Sequence, residues 1–300
     1  MKKMRLHIYL VLGLFVVGFI VGTFVDRQLS EAIFSRDNAF GLTISAIGTI
    51  PGYMILAILG GGFFALGLLK KEYKMIYRVL LYVVAAGACF AAIFFTGREF
   101  FGPNGFTNDK IKWVGYLIVL PIAGGCAFLG YLLTRKSKTP YLWLIFGIMA
   151  LCIFMALVPG VTMIKAIFHR PRWRTVTLYE GIEFHNWYQR CGNYKELIDF
   201  YQPKGLKEEF KSFPSGHAGA SAVFMLGVAF LPLLDKKYEK LALPLFYGGL
   251  AWTLFVAFTR ILVGAHFLSD VSMGGILTSV FILVCNEVLI AVNKKLKFAE

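Results

Sequence analysis

Residues 140–164 read PYLWLIFGIMALCIFMALVPGVTMI. The stretch contains no charged side chain, and nearly every residue in it is apolar or small. A helix needs about 20 mainly apolar residues to cross the hydrocarbon core of a bilayer, so this stretch is long enough to span one. It is followed directly by Lys165, the first of several basic residues. The pattern predicts a transmembrane helix that ends at a polar, positively charged surface.

Seven further stretches have the length and composition of membrane spans. They lie at roughly 8–25, 45–69, 79–97, 113–134, 217–234, 241–259 and 270–292. Hydrophobic residues make up 58% of the 300-residue chain, more than a soluble domain of this size is able to bury. We therefore predict an all-α, polytopic transmembrane helix bundle of about eight spans. The polar residues 173–212 form its one long loop.

Basic residues are distributed unevenly between the two sides of this bundle. The chain carries 31 Lys and Arg against 17 Asp and Glu, a formal net charge of +14. Most of the basic residues in short segments fall in alternate loops, at 2–5, 70–78, 135–138, 236–240 and 294–297. Because short cytoplasmic loops retain Lys and Arg, this alternation predicts a multi-pass protein of the plasma membrane with both termini cytoplasmic. The 173–212 loop is then extracytoplasmic. No basic domain stands apart from the spans, so nucleic-acid binding is not expected.

The cysteines indicate neither disulfides nor a structural metal. Cys89, Cys126, Cys152 and Cys285 lie inside apolar stretches and read as small hydrophobic residues. No metal-ligand spacing occurs, so no metal site or cofactor is expected. Cys191 lies in the 173–212 loop, where we expect it to be accessible to reagents.

Three polar patches fall at the predicted outer face. They are Lys165 to Trp173 after the fifth span, Lys211 to His217 before the sixth, and Thr259 to Asp270 between the seventh and eighth. A single histidine or an Arg-Pro pair at a membrane edge is most often a packing or anchoring residue. Three patches on one side, each rich in chemically useful groups, favour a functional site instead.

The residue types in these patches suit a phosphate ester. Lys165, Arg172 and Arg260 offer fixed cations for the charge that grows on the phosphoryl oxygens in the transition state. Ser215 and Gly216 would lie at the N-terminus of the sixth span, where free amides and the helix dipole favour anions.

Two histidines provide candidates for covalent and acid–base chemistry. His266 and Asp270 are four residues apart, so on a helix they share a face. A carboxylate that binds one imidazole nitrogen leaves the other nitrogen free as a nucleophile. His217 then remains to protonate the departing oxygen.

The three patches resemble the signature of the type 2 phosphatidic acid phosphatase superfamily, which also includes vanadium haloperoxidases. The first motif of that family is Lys, six residues, then Arg-Pro. Lys165 and Arg172 match it, with Trp173 in place of the proline, whereas Arg170-Pro171 lies two residues too early. The second motif matches in full from Pro214 to His217. The third is Ser-Arg, five residues, His, three residues, Asp, and it matches at Arg260, His266 and Asp270, with Thr259 replacing serine.

The resemblance implies a role for each matched residue. His266 would form a phosphohistidine, with Asp270 as its partner, and His217 would be the acid. The phosphate would be held by Lys165, Arg172, Ser215, Gly216 and Arg260. The implied function is a metal-independent phosphatase that acts on a lipid phosphate or lipid diphosphate within the surrounding membrane lipids. A lipid phosphotransferase with the same site, or a transporter, are the alternatives.

The resemblance leaves the substrate and the N-terminal half open. Undecaprenyl diphosphate, phosphatidylglycerol phosphate, phosphatidic acid and lipid A phosphates all suit an outer-face site in a bacterial plasma membrane. Membrane members of the family commonly have six spans, so two spans here are additional. We divide the chain into residues 1–138, about four spans of undetermined role, and residues 139–300, the phosphatase core. No oligomeric state is predicted.

Overall fold

A computed structural model describes residues 2–101, 112–139, 141–202 and 206–296. Within these ranges the regular structure is entirely helical. In this described part of the chain, eight helical stretches are long and apolar enough to cross a membrane. The predicted all-α bundle with about eight spans is therefore confirmed.

The described residues of the N-terminal half form five helices. They are α1 (Lys2–Ile33), α2 (Ala39–Ile47), α3 (Ile50–Leu69), α4 (Met75–Phe101) and α5 (Lys112–Lys136). Asn38 caps α2 by accepting a hydrogen bond from the Gly41 amide at 2.8 Å. Because only Gly48 and Thr49 separate α2 from α3, the two helices form one candidate span, Ala39–Leu69.

Residues 142–168, which include Lys165, form a single interrupted helix. It comprises α6 (Leu142–Met155), a π-helical segment (Ala156–Met163) and α7 (Ile164–Phe168). Pro159 lies inside the π-helical segment. Proline has no amide hydrogen and crowds the preceding turn, so a widened turn is the physical response to it. The π-helical segment comes directly before the turn that carries Lys165.

The segment between α7 and α11 contains short helices and a small apolar core. The helices are α8 (Trp173–Val176), α9 (Tyr194–Tyr201) and α10 (Leu206–Glu209). Ile182, Cys191, Leu206 and Phe210 are buried together. Cys191 is only 3% exposed, and its thiol lies 3.5 Å from the Asn193 side-chain oxygen. The expectation that Cys191 is accessible is therefore wrong, because the segment folds around it.

Four helices form the C-terminal part of the described chain. They are α11 (Gly216–Ala229), α12 (Leu231–Leu234), α13 (Glu239–Leu262) and α14 (Leu268–Leu296), with a 3₁₀ turn at Lys236–Tyr238. α11 packs against α3, α13 and α14. A Cβ added to Gly274 would lie 2.4 Å from the Ser215 carbonyl oxygen, so glycine is required for α14 to come this close to the start of α11.

The N-terminal helices pack directly on the C-terminal half. α1 runs along α14, and α3 packs on α11. A Cβ on Gly22 would lie 2.5 Å from the Ser269 amide nitrogen, so α1 approaches the first turn of α14 as closely as backbone allows. Helix contacts thus cross the predicted boundary near residue 138.

Candidate active site

A cavity of 430 Å³ brings together residues from all three patches. Its polar lining includes Lys165, Arg172, Gly216, His217 and His266. This volume lies in the range of about 300–1,000 Å³ that is typical of ligand sites. Five of the eight predicted site residues therefore line one space, although they are far apart in the chain, whereas Ser215, Arg260 and Asp270 are not among its lining residues.

Lys165 reaches this cavity from α7. Its ammonium group donates a hydrogen bond to the Lys211 carbonyl oxygen at 2.8 Å. A single carbonyl uses one of the three ammonium hydrogens, so Lys165 retains donors for an anion.

Arg172 is held in place by an acidic residue of α10. Arg172 is 5% exposed, and its Nη1 lies 3.8 Å from Glu209 Oε1. Arg174 forms a closer pair with the same carboxylate, with Nη2 2.6 Å from Oε1. Burial raises the pKa of Glu209, but the charges of Arg172 and Arg174 outweigh it and lower that pKa to about 2. Glu209 is thus ionised at neutral pH and anchors the arginine beside the cavity.

Trp173 does not disturb the turn where the family motif has proline. Arg172 has φ −80° and ψ 153°, the extended conformation that a residue before proline also adopts. Trp173 opens α8, a position that proline tolerates well. The indole is buried, with its ring centroid 6.4 Å from that of Phe267. Tryptophan at this position is compatible with the backbone conformation that proline requires, and it packs against the loop that carries His266.

Arg260 lies in an environment that suits an anionic ligand. The residue is fully buried, near the end of α13. Among the described residues, none of its three guanidinium nitrogens has a hydrogen-bond partner. Buried polar groups are hydrogen-bonded in the great majority of proteins, and an unpaired buried charge is costly. The guanidinium is therefore prepared for an anionic ligand.

Ser215 and Gly216 form the start of α11. Ser215 is its N-cap, and the Ser215 hydroxyl accepts a hydrogen bond from the Ala218 amide at 3.3 Å. The Ser215 amide itself donates to the Asp270 carbonyl oxygen at 2.9 Å. The groups at this terminus that are able to bind an anion are thus the Ser215 hydroxyl proton and the first amides of α11.

His266 is bound differently from the predicted arrangement. It lies in the turn before α14, and not on a helix, and it is 1% exposed. Its Nδ1 is 2.7 Å from the Ser212 carbonyl oxygen and 3.7 Å from Asp270 Oδ2. The carbonyl is thus the hydrogen-bond acceptor, and Asp270 acts on His266 at longer range. This arrangement places the proton on Nδ1 and leaves Nε2 as the basic nitrogen.

The protonation state of His266 follows from its surroundings. Burial is the main cause that holds the pKa of His266 below its ordinary value, and the nearby charges of Lys165, Arg172 and Arg260 act in the same direction. The imidazole is therefore neutral at pH 7, as a nucleophile must be.

Asp270 is at the centre of a buried polar network. Its Oδ2 accepts hydrogen bonds from the Ser212 hydroxyl and from the Phe267 amide at 2.9 Å. Its Oδ1 lies 2.5 Å from Arg170 Nη1. Ser212 therefore contacts both members of the predicted pair: its carbonyl accepts from His266 and its hydroxyl donates to Asp270.

Arg170 bridges Asp270 to the N-terminal helix. It is fully buried, and its Nη2 lies 2.9 Å from Asp26 Oδ2 on α1. Its Nε donates to the His185 carbonyl oxygen, and the guanidinium lies 3.9 Å from the Phe267 ring centroid. The Arg170-Pro171 pair does not fit the family motif, yet the arginine has a defined structural role behind the site.

His217, in the first turn of α11, contacts two residues from the N-terminal half. Its Nε2 is 3.1 Å from the Ser45 carbonyl oxygen on α2 and 3.3 Å from Glu99 Oε2 on α4. Sequence reasoning missed Glu99, Ser45, Asp26 and Ser212. Asp26 and Glu99 do carry one detectable signal, since each is an acidic residue that closely follows the apolar run of its helix, at the same end of the bundle.

Comparison with known proteins identifies a family for the part of the chain that holds the three motifs. No curated protein and no solved structure matches the chain. The model of the PAP2 superfamily matches residues 140–293, about half of the chain, and this region contains all three motifs. The chain therefore belongs to the PAP2 superfamily, and a transmembrane bundle that carries this domain fits a membrane phosphatase.

Proposed function

We propose that the protein hydrolyses a lipid phosphate or lipid diphosphate through a phosphohistidine on His266. The observation that carries the proposal is the fully buried guanidinium of Arg260, which has no hydrogen-bond partner among the described residues. Two oxygens of a phosphoryl group accept two parallel hydrogen bonds from a guanidinium and so satisfy its N–H groups. Lys165 and Arg172 line the cavity itself and add positive charge there.

The first half of the reaction transfers the phosphoryl group to the protein. The Nε2 lone pair of His266 attacks phosphorus, and the bond between phosphorus and the lipid oxygen breaks. His217 donates a proton to that oxygen, which leaves as an alcohol, or as a lipid monophosphate when the substrate is a diphosphate. Arg260, Arg172 and Lys165 stabilise the charge on the three equatorial oxygens.

The second half returns the protein to its starting state. His217, now neutral, accepts a proton from a water molecule that attacks phosphorus. The bond between phosphorus and Nε2 breaks, and inorganic phosphate leaves. Throughout, the Ser212 carbonyl and Asp270 stabilise the positive charge on the His266 ring.

The shape of the cavity favours a lipid as the substrate. Its apolar lining comes from the N-terminal helices, through Leu56 and Phe95, and from the span that leads to Lys165, through Ile153 and Leu157. Ile153 is twelve residues before Lys165, so the lining extends on the order of 18 Å along the span. A phosphate at the charged residues would thus have its hydrocarbon chain beside apolar side chains.

Phosphate release from purified protein in detergent tests this function. The panel contains phosphatidic acid, phosphatidylglycerol phosphate, undecaprenyl diphosphate and lipid A phosphates, with no added acceptor. We expect inorganic phosphate from at least one of them, unchanged in EDTA, because three basic side chains supply the positive charge. Vanadate should inhibit, since it mimics five-coordinate phosphorus. Phosphate transfer only when an alcohol acceptor is supplied would identify a phosphotransferase, and full dependence on added magnesium would refute the metal-independent mechanism.

We also propose that both termini are cytoplasmic and that the active site faces outward. Since Cys191 is buried, an introduced cysteine is the better reporter. Phe200 on α9 is 78% exposed. In a Cys191→Ser background, Phe200→Cys should react with a membrane-impermeant maleimide on intact cells, because α9 lies in the predicted outer segment.

The matched control is Tyr73→Cys, in the same Cys191→Ser background, in the turn between α3 and α4. This position should react only after the membrane is permeabilised. The reverse pattern would place the active site in the cytoplasm.

A further inference from the structure

We propose that Glu99, on the additional helix α4, is the positioning residue that keeps His217 protonated for its role as general acid. The inference rests on the proposed function and extends it to a part of the chain outside residues 140–293. Two groups of the N-terminal half, the Glu99 carboxylate and the Ser45 carbonyl, lie beside the same nitrogen, His217 Nε2.

The charge around His217 makes such a partner necessary. A general acid must carry a proton, and the cations near His217 disfavour one there. Among the described residues, the charged and titratable groups near His217 and its cavity are Tyr53, Arg98, Glu99, Lys165, Arg172, Glu208, Glu209, Lys211, Arg260, His266 and Asp270. Like charges disfavour an imidazolium, whereas a carboxylate within about 4–6 Å favours it.

The other nearby carboxylates have partners of their own. Asp270 is paired with Arg170, Glu209 with Arg174, and Glu208 with Lys211. Glu99 instead has its Oε2 3.3 Å from His217 Nε2, and it lines the cavity with a side chain that is 21% exposed. Among the described residues it is the acidic side chain that contacts the imidazole directly, so it offsets the surrounding positive charge most strongly.

The contacts with Ser45 and Glu99 give the two ring nitrogens of His217 different roles. In the imidazolium, Nε2–H donates to the Ser45 carbonyl, and the Glu99 carboxylate lies 3.3 Å from the same nitrogen. The proton on Nδ1 is then the one that moves to the leaving oxygen as its bond to phosphorus breaks. His217 becomes neutral but keeps the Nε2–H bond to Ser45, which fixes the tautomer whose Nδ1 later accepts a proton from water.

The test compares Glu99→Gln with the natural protein on two esters that carry the same hydrocarbon chain. One is an alkyl phosphate, whose leaving oxygen needs a proton, and the other is an aryl phosphate, which leaves without one. We expect Glu99→Gln to lower kcat/KM for the alkyl ester about ten- to a hundredfold at pH 8, a part of the effect of a general acid. The aryl ester should change less than about threefold, since it bypasses the acid.

The pH profile separates this role from a structural one. The alkaline limb of kcat/KM for the alkyl ester should move to lower pH by about one unit in Glu99→Gln, because the neighbouring negative charge is gone. Glu99→Asp, which keeps the charge, should recover most of the loss. Glu72→Gln, an exposed glutamate in the turn between α3 and α4, serves as the matched control and should leave both esters unchanged.

Each outcome decides the proposal. An equal loss for both esters, or an unchanged alkaline limb, would overturn it. If Glu99→Gln fails to fold, Glu99→Ala, which also removes the charge, is compared in its place, and an equal loss for both esters or an unchanged alkaline limb in that variant overturns the proposal. Absence of phosphate release by the natural protein would instead refute the proposed function. Phosphate release by the natural protein, together with an unchanged kcat/KM of Glu99→Gln for both esters, would refute only the role of Glu99.

Discussion

His266→Ala is expected to abolish phosphate release and to remove the phosphoryl group that can be trapped on the protein. Its Nε2 is the proposed nucleophile, and within the described part of the chain His266 is the side chain that the Ser212 carbonyl and Asp270 position. Loss of a nucleophile costs on the order of 10⁴-fold or more in kcat, because fixed cations alone stabilise the transition state only in part. The measurement is a single-turnover reaction with substrate labelled in its phosphoryl group, followed by assay of labelled protein.

The control for this experiment is His7→Ala. His7 lies near the start of α1, where its Nδ1 is 2.8 Å from the Tyr247 hydroxyl, and it does not line the proposed active-site cavity. It should retain activity and labelling. In the natural protein the label should be labile in acid and stable in base, as expected for a phosphorus–nitrogen bond. A label with the opposite stability, or one that persists in His266→Ala, would exclude the phosphohistidine.

The sequence predicts the spans well because a membrane restricts the choice of structure. Every backbone polar group in the bilayer core must be satisfied within its own helix, so a long apolar stretch has few alternatives. Hydropathy also finds the interrupted span before Lys165. It does not show that Pro159 lies in a π-helical segment, because both a kink and a widened turn relieve the same steric conflict.

The sequence also predicts which residues of the C-terminal half meet. Lys165, Arg172, His217 and His266 line one cavity, as expected from three patches at the same end of the bundle. The pattern could not identify the acceptor of the His266 proton, because a backbone carbonyl has no signature in the side chains. It likewise could not show that Cys191 is buried, since burial there depends on how a polar segment folds on itself.

The contributions of the N-terminal half were the least predictable. Asp26, Ser45 and Glu99 are each more than a hundred residues from their partners in the chain. No periodicity links such positions, and the motif covers only the other half. Their contacts supply a physical reason for additional helices: α1, α2 and α4 each place one polar group beside a residue of the catalytic region.

The contact from α1 carries the largest expected effect on stability. Arg170→Met should leave Asp26 and Asp270, which are 2% and 0% exposed, without the cation between them. Removing one partner of a buried ion pair costs about 3–5 kcal/mol, since an uncompensated charge remains in a medium of low dielectric constant. We expect a loss of this size in the free energy of unfolding in detergent. Activity should fall as well, because Asp270 would no longer be held against Ser212 and behind His266.

Two further variants separate the charge from the shape of the side chain. Arg190→Met, at an exposed position of the segment after α8, should change the free energy of unfolding by less than about 0.5 kcal/mol. Asp26→Asn added to Arg170→Met removes one of the two stranded carboxylates, so it should recover part of the stability. The double variant should remain poorly active, since Asp270 still lacks the guanidinium that orients it. A stable and fully active Arg170→Met would contradict this account, because it would mean that neither α1 nor the position of Asp270 depends on the buried arginine.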